Sequence, residues 1–364
     1  MIRQKGDRWY YTIDEYEGHK RIRHEHFGGF TKQECQKAFR AAMATQDRTG
    51  KFFEPSSMPV SKFMAEWMKK YVERNLKPNT VLAYEKLIEN HINKKFGQYK
   101  LKEVTTADVQ DYLEDLKETG LARSTLKMIY SIMKGAFRWA VAVRQYIEVN
   151  PMLNVQVPRY EPTPRVERVF NQNEVNQIFE HYPEGDKMFI VVNLAYYTGM
   201  RIGEILGLTW ENVDIEKNII SVKQTASRAS AVCSPKTASS IRDIPFPPQL
   251  ATALHIQKKW QLENRLKAGA FYHDTGFVAT HGNGLPITAN DIRAFNKFCH
   301  DRFQHGSVHW FRHTHATRLL ESGIDLDYVS KRLGHASIAV TANIYISNTD
   351  SRDKQAVNLM EKIL

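Results

Sequence analysis

The sequence contains few cysteines and no long hydrophobic run, and each shortage argues against a class of protein. The three cysteines, Cys35, Cys233 and Cys299, lie far apart and form no CxxC pair. This spacing argues against a disulfide framework or a zinc knuckle and fits a reducing cytosol. No run of about 18 apolar residues occurs, and the opening stretch MIRQKGDRWYY contains no apolar signal segment. We therefore expect a cytoplasmic protein that is neither membrane-inserted nor secreted.

Length and charge predict a multidomain protein with a polyanionic partner. With 364 residues, of which 42% are hydrophobic, the chain is long enough for two or three domains. The formal net charge is +11, of which residues 1–54 contribute +3, residues 55–160 contribute +6 and the remainder contributes +2. A basic surplus is often only a solvated surface, but in small helical or stranded modules it favours nucleic acid.

Residues 1–54 predict a small sheet followed by a helix. Thr31 and Glu34 form a capping-box pattern, which predicts a helix that runs to about residue 44. Three short strands are predicted before it, at 9–13, 21–24 and 26–30.

Three cations of this region, Lys20, Arg21 and Arg23, would line one strand. A narrow sheet can enter the major groove of DNA, where such side chains would contact it. Charged side chains also protect a sheet edge from pairing with another chain. The sequence leaves both interpretations open.

Residues 55–160 predict a compact helical bundle, preceded by a proline-containing linker at 51–59. Lys and Arg residues lie mainly off the apolar stripes, so they are either available to phosphates or simply solvated. The four predicted helices cover about 61–74, 81–94, 105–120 and 124–146.

Four prolines between residues 150 and 165 indicate an interdomain linker, and the rest of the chain, 161–364, predicts mixed α and β structure. The expected fold class is therefore multidomain and mainly α with small β elements: a three-stranded sheet plus helix, a helical bundle, and a mixed α+β domain. In the last of these we predict helices at 174–181, 188–197, 249–267 and 290–303, strands at 219–225, 241–245 and 276–280, and a helical run at 309–345.

The final helical run carries side chains that are unusual for a protein core. His309 and Arg312 are three positions apart, so they share a helix face and can reach a single anion. His335 follows in the stretch LGH, and Tyr345 comes ten residues later. With a second cation and an acid from elsewhere, this set suits the binding and attack of a phosphodiester.

Taken singly, each candidate has an ordinary explanation. Arg201 alone is typical of a surface arginine, and Lys236 alone is typical of a solvated lysine in a polar loop. Tyr345 alone is typical of a buried tyrosine whose hydroxyl group is hydrogen-bonded. The set as a whole, in its order along the chain, is what favours a site.

A metal site is an alternative use of His309, His313 and His315, since residues four apart share a helix face. However, no glutamate accompanies them as in HExxH, and no cysteine is near. Arg312 would also place a positive charge beside the metal.

The chain contains four stretches that resemble, in order, the motif boxes of one enzyme family: TGMRIGEILGLTW, SPKTASSIRDIP, HWFRHTHATRLL and LGHASIAVTANIY. This is the tyrosine recombinase, or phage integrase, family of site-specific DNA strand exchange proteins. The catalytic resemblance covers about residues 165–350, and the bundle is similar to the family's core-site-binding domain. Residues 1–54 are similar to the arm-site-binding module of phage and conjugative-transposon integrases. Trp310 and Phe311 stand where Asp-Leu is common, which leaves the histidine and arginine of that box intact.

The resemblance implies strand cleavage without a metal or nucleotide cofactor. A tyrosine forms a 3′-phosphotyrosine that keeps the free energy of the bond, so another 5′ hydroxyl can rejoin the strands. Positive side chains neutralise the charge that a divalent ion neutralises in other enzymes. The implied site consists of Tyr345 as nucleophile, Arg201 and Arg312 as phosphate ligands, Lys236 as general acid, His309 for acid–base work or a phosphate hydrogen bond, His335 for a bond to a nonbridging oxygen, and Glu204 as a supporting residue.

The implied partners are double-stranded DNA, at core and arm sites, and further copies of the chain. An apolar helical face in the tail at 350–364 favours docking onto a neighbouring protomer in a DNA-bound tetramer. The leading hypothesis is an integrase that inserts and excises a phage or conjugative element, with accessory DNA-bending or excision factors as further partners. The alternatives are a host chromosome-resolution recombinase, a non-catalytic DNA-binding regulator of the same fold, and a metal-dependent phosphohydrolase.

Overall fold

The protein is described by a computed structural model that covers residues 1–17, 20–49, 55–161, 168–226 and 241–345. The chain divides into two compact units, Met1–Pro162 and Thr163–Leu364. The described residues are mainly helical and contain two small antiparallel sheets, which confirms the predicted fold class. No helix in these residues is long and apolar enough to cross a membrane. The finer division of the first unit at residue 54 stays a prediction.

The sheet of the first unit is antiparallel and consists of β1 (Ile2–Lys5), β2 (Arg8–Glu17) and β3 (Lys20–Gly29), in that order. Two of the predicted strands, 21–24 and 26–30, were wrong as separate elements, because β3 is continuous through both. The sequence pattern also misses β1. Apart from a half-buried Ile2 its residues are exposed, so it lacks the alternation that marks a strand.

Helix α1 (Lys32–Thr49) covers one face of this sheet and begins at the predicted capping box. The hydroxyl oxygen of Thr31 accepts a hydrogen bond from the Glu34 amide at 3.2 Å, and the Glu34 carboxylate accepts one from the Thr31 amide at 3.0 Å. The core between the sheet and the helix is formed by Tyr11, Ile13 and Cys35.

The rest of the first unit is the predicted bundle. Its helical segments are α2 (Val60–Trp67), α3 (Glu73–Asn75), α4 (Pro78–Leu87), α5 (Asn93–Phe96), α6 (Thr106–Glu118) and α7 (Arg123–Ala142). A π-helical turn joins α2 to α3, at Met68–Val72, and another joins α4 to α5, at Ile88–Ile92. The second helix is predicted to begin at about 81, but α4 begins at Pro78, because a proline fits the first turn, which needs no amide hydrogen.

The second unit surrounds a buried helix, α9, with further helices and a small sheet. Its helices are α8 (Gln172–His181), α9 (Phe189–Thr198), α10 (Ile202–Leu206), α11 (Pro248–Ala268), α12 (Ala289–Phe303), α13 (Val308–Glu321), α14 (Leu326–Leu333) and α15 (Ile338–Tyr345). The predicted helical run at 309–345 is therefore three helices, and Gly323 and Gly334 lie between them with positive φ angles.

The second sheet has the order β4 (Val213–Asp214), β5 (Ile219–Val222) and β6 (Arg242–Pro245). The predicted strand at 276–280 is wrong, since this segment forms only isolated bridges. The side-chain amides of Gln257 and Gln261 donate to the carbonyl oxygen of Val278 at 3.0 and 3.2 Å. Side chains of α11 thus satisfy backbone groups that a strand would pair with a neighbouring strand.

Gly199 ends α9 in the left-handed conformation, with φ of +65°. A Cβ atom at this position would lie 2.8 Å from Cδ2 of His315 and 2.8 Å from Cδ2 of Leu333. The glycine therefore permits both the backbone turn and the close approach of α13 and α14 to α9.

We predict that Gly199→Ala lowers the free energy of unfolding of the second unit by about 2–5 kcal/mol, as the sum of backbone strain and overpacking. Gly185→Ala is the matched control, because Gly185 also has a positive φ, of +89°, but has no atom within 4 Å of the added Cβ. Its cost should be about 1–2 kcal/mol, from backbone strain alone. Chemical denaturation of both variants measures the difference, and equal losses would contradict the packing argument.

Candidate active site

Arg312 lies in the interior of the second unit, in the second turn of α13. Its Nη1 donates to the carbonyl oxygen of Gly199 at 2.9 Å, and its Nη2 donates to that of Leu333 at 2.6 Å. The residue is only 3% exposed. Burial, followed by the charge of Arg201, lowers the pKa of Arg312 to about 9. The guanidinium therefore stays charged at neutral pH and is held in a fixed direction.

Arg201 lies at the amino end of α10 and shares an acceptor with Arg312. Its Nη1 donates to Oε1 of Glu204 at 2.9 Å, and its Nη2 donates to the carbonyl oxygen of Gly334 at 2.8 Å. A longer contact of 3.5 Å joins Nη1 to the carbonyl oxygen of Leu333. The Arg201 side chain is 36% exposed, so a ligand in solvent can reach it.

A third arginine, Arg242, completes this cluster and was missed by the sequence analysis. Its Nη2 donates to Oε2 of Glu204 at 3.0 Å, and its Nε donates to the carbonyl oxygen of Arg332 at 2.6 Å. A signal was present in the sequence, because residues two apart in a strand share a face and Ile244 is fully buried. An arginine in the same row must face inward, and a buried guanidinium needs an acidic partner.

Glu204 is the acidic partner of both Arg201 and Arg242. Its carboxylate is buried, and it also accepts a hydrogen bond from the Arg201 amide at 2.9 Å. Burial alone would raise the pKa of Glu204, but the hydrogen bonds and the charges from Arg242 and Arg201 outweigh it, so the pKa is lowered. Glu204 is therefore ionised at neutral pH.

The three guanidinium groups meet at the carboxyl end of α14. The successive carbonyl oxygens of residues 332–334 accept hydrogen bonds from Arg242, Arg312 and Arg201, respectively. The last turn of a helix carries partial negative charge, which favours cations there. The three arginines nevertheless carry more positive charge than one carboxylate and one helix end can neutralise. The cluster therefore has a net positive charge that favours the binding of an anion.

Three histidines lie beside these arginines and are neutral at pH 7. The pKa of His309 is lowered, first because surrounding protein atoms remove part of the ring from water and then because Arg312 and Arg201 are positively charged nearby. Part of this side chain is still exposed. Burial, followed by His309, lowers the pKa of His313 to about 4, and the two rings stand edge to face with centroids 5.0 Å apart. Burial, followed by Arg312 and Arg201, lowers the pKa of His335 to about 3.

His335 connects the arginine cluster to α15, the helix that ends at Tyr345. Its Nδ1 lies 2.7 Å from the hydroxyl oxygen of Thr341, which is fully buried. Thr341 precedes Tyr345 by four positions, or about one helical turn. The backbone of Tyr345 is thus one turn from Thr341, which contacts the histidine that follows Gly334 in the chain.

Two predicted site residues cannot be placed in the same way. Lys236 lies outside the described residues, and for Tyr345 only the backbone is described. Their roles stay predictions from the sequence.

The predicted DNA-binding cations lie in β3 of the first unit. The strand register pairs Lys20 with Glu17 and Arg23 with Asp14. The side chains of Lys20 and Arg21 lie outside the part of the chain that the structure describes. Arg23 is held by Asp14, with Nε 3.0 Å from Oδ1.

His315 serves a structural purpose that differs from metal binding. Its Nδ1 is 2.9 Å from the carbonyl oxygen of Tyr196, and its Nε2 accepts a hydrogen bond from Nε of Arg332 at 3.0 Å. Both bonds require a neutral ring with its hydrogen on Nδ1. Burial, followed by the charge of Arg332, lowers the pKa of His315 to about 4. Among the described residues, no group of three His, Cys, Asp or Glu side chains is arranged to hold a metal ion.

We predict that the stability of the second unit falls as the pH drops from about 6.5 to about 4, since in that window the unfolded chain binds protons that the folded His315 does not. His315→Gln keeps one donor and one acceptor but does not titrate, so its unfolding midpoint should depend less steeply on pH. Thermal unfolding of both proteins from pH 8 to pH 4 measures the slopes. Identical slopes would contradict the neutral assignment of His315.

Comparisons with known proteins agree with this arrangement. The family model described as the phage integrase family matches residues 168–352, and that of the phage integrase N-terminal SAM-like domain matches residues 60–117. A tyrosine recombinase XerC-like protein of Caldanaerobacter subterraneus subsp. tengcongensis is 30% identical over 97% of this chain and 94% of its own length. The ICEBs1 integrase of Bacillus subtilis is 26% identical over 80% of each chain. Among solved structures, the Tn1549 transposon integrase in complex with a circular intermediate DNA is similar with a TM-score of 0.66 and 26% identity, over 85% of this chain and all of that chain.

The fold, the arginine cluster and these matches define the class: the chain belongs to the phage integrase family. Within it, the protein is a tyrosine-type site-specific DNA recombinase.

Proposed function

We propose that this recombinase cleaves and rejoins DNA strands through a 3′-phosphotyrosine at Tyr345. The observation that carries the proposal is the arginine cluster, in which Arg201 and Arg312 are held by backbone carbonyl groups beside the helix that ends at Tyr345. Guanidinium groups bind phosphate oxygens with paired, charge-assisted hydrogen bonds. A phosphodiester bound there would come within reach of a residue at the end of α15.

In the proposed step, the phenolic oxygen of Tyr345 bonds to phosphorus while the bond from phosphorus to the 5′ oxygen breaks. Arg201 and Arg312 donate to the nonbridging oxygens, which carry extra negative charge in the transition state. Neutral His309 takes the proton from the phenol, and Lys236 gives a proton to the departing 5′ oxygen. The step is a proton-balanced transfer that needs no oxidant or reductant.

His335 and Glu204 support this step in different ways. The Nδ1 of His335 is engaged by Thr341, which leaves Nε2 to donate to a nonbridging oxygen. Glu204 fixes the direction of Arg201 and offsets part of the positive charge. Because the phosphotyrosine keeps the free energy of the phosphodiester, attack by a different 5′ hydroxyl reverses the step without ATP.

The biological role we propose is integration and excision of a phage or conjugative element. The sheet of the first unit supports binding of arm-site DNA, because its face away from α1 carries Arg3, Lys5, Arg8 and Arg23 by strand alternation. Arg3 and Lys5 both pair with Glu25 there, and such exposed pairs exchange readily for phosphate contacts. Similarity to the ICEBs1 and Tn1549 integrases favours the same role.

Chromosome resolution in a host is the second candidate. The observation in its favour is that the XerC-like relative aligns over nearly the whole of this chain. Recombination between two copies of a chromosomal site, without any element, would identify it.

We also propose that the protein acts as a tetramer on DNA, joined by tails exchanged between protomers. The apolar residues of the tail, 350–364, recur at the spacing that predicts one face of a helix. The second unit contains an open groove of about 630 Å³ that suits such a face, lined by Pro245, Phe246, Pro247, Leu319, Ile324 and Tyr328, among others.

We predict that the wild-type chain forms a covalent adduct with a nicked DNA carrying the attachment site, and that Tyr345→Phe forms none, because phenylalanine has no oxygen to bond to phosphorus. Denaturing electrophoresis measures the adduct. Tyr272→Phe, in which a half-buried tyrosine outside the cluster loses its hydroxyl, is the matched control and should retain the adduct.

An adduct that persists in Tyr345→Phe would overturn the assignment of the nucleophile. Failure of the wild type to form any adduct, with DNA binding intact, would favour the non-catalytic regulator. The adduct should also form at full yield in EDTA. A metal-dependent phosphohydrolase would instead cut the DNA without an adduct, and EDTA would stop that cut.

A further inference from the structure

Arg242 is the one arginine of the cluster that the proposed reaction does not use. Its Nε, Nη1 and Nη2 all donate to protein acceptors, with Nη1 3.2 Å from Oε1 of Glu204. The donors of Arg242 are thus all engaged by the carboxylate of Glu204 and by a carbonyl group of α14, and the proposed reaction assigns it no phosphate oxygen.

The bonds of Arg242 join three separate elements. It begins β6, it binds the carboxylate that orients Arg201 at the start of α10, and it binds the carbonyl of Arg332 in the last turn of α14. The next two carbonyl groups of that turn hold Arg312 and Arg201. Any movement of this turn relative to β6 would therefore redirect both proposed phosphate ligands.

We propose that Arg242 is a positioning residue for strand cleavage, which acts through Glu204 and the last turn of α14 to set the directions of Arg201 and Arg312. The inference rests on the proposed function, since it concerns how the same site is kept in its reactive geometry. It predicts an effect on the chemical step rather than on DNA binding.

Loss of Arg242 also has a consequence for Glu204. The carboxylate would stay buried but would lose the hydrogen bonds and the charge that most strongly oppose the effect of burial. Its pKa would rise, and protonation would then release Arg201 at a pH where the wild type is still fully paired. A loss of rigidity alone has no such dependence on pH.

The test compares Arg242→Met and Arg242→Lys with the wild type on the nicked DNA substrate. Under single-turnover conditions with saturating protein, Arg242→Met should cleave ~10- to ~100-fold more slowly, in line with the effect of a misplaced binding group. Its Kd for the same DNA should change by no more than about threefold, because the proposed reaction assigns Arg242 no contact with DNA. Arg242→Lys, which keeps the charge but not the fork of donors, should recover part of the rate.

The pH profile separates positioning from general stability. For Arg242→Met, the fall in rate towards acid pH should begin at a higher pH than in the wild type. Adding Glu204→Gln to Arg242→Met should remove that displacement. Arg144→Met is the control, because Arg144 is paired with Glu66 in the first unit and its loss should leave the profile unchanged.

The outcomes are distinguishable. A wild type that forms no phosphotyrosine adduct defeats the proposed function. A wild type that cleaves, with Arg242→Met within about threefold of its rate, defeats the inference about Arg242 alone. The inference also fails if Arg242→Met is slower than the wild type by the same factor at every pH and Arg242→Lys recovers none of the lost rate. Thermal unfolding of every variant ensures that folded protein is compared.

Discussion

Hydrogen bonds from three arginines to the last turn of α14 are the interaction on which the rest of the site depends. Guanidinium groups that gather in a small volume repel one another, and a buried one that lacks partners costs several kcal/mol. Three successive carbonyl groups, those of residues 332–334, offset this cost because each accepts a hydrogen bond from a different arginine. The left-handed Gly334, with φ of +66°, ends the helix there and leaves these carbonyl groups outside the helical hydrogen-bond ladder.

Glu204 decides the charge of the cluster. Its lowered pKa means that the contacts with Arg242 and Arg201 outweigh the effect of burial. One carboxylate against three guanidinium groups leaves a positive surplus, and the neighbouring histidines are neutral and add no charge. In the proposed reaction, such a positive and already oriented cluster would need little reorganisation when charge develops in the transition state. The contact of His335 with Thr341 joins the residue that follows Gly334 to α15, the helix that ends at Tyr345.

Much of the fold could be predicted from local sequence signals. The capping box at Thr31 and Glu34 and the apolar periodicities of the bundle gave helix positions that the structure confirms. The errors arose where partners distant in sequence decide the structure. Strand β1 has no alternation of its own and is a strand because β2 pairs with it, and the segment at 276–280 is irregular because glutamines of α11 satisfy its backbone.

In the site, too, some residues can be recognised from local sequence signals, whereas others depend on partners that are distant in sequence. The motif residues Arg201, His309, Arg312 and His335 stand out in the sequence by type and spacing, and the structure brings them together around α14. The alternation in β6 could have shown that Arg242 faces inward, but the partners of Arg242 and His315 do not stand out, because they lie far away in the chain: Glu204 and Arg332 for the first, Tyr196 for the second. Long-range hydrogen bonds of this kind leave no periodic signal.

The most direct measurement of the central claim is a structure of the chain bound to its DNA site with the scissile phosphate, or a vanadate in its place. We predict that nonbridging oxygens lie about 3 Å from guanidinium nitrogens of both Arg201 and Arg312. The carbonyl groups of Leu333 and Gly334 should still accept hydrogen bonds from these arginines, and a Tyr345 phenol should lie in line with the 5′ oxygen. A phosphate bound elsewhere, or an α14 turn that has released both arginines, would contradict it.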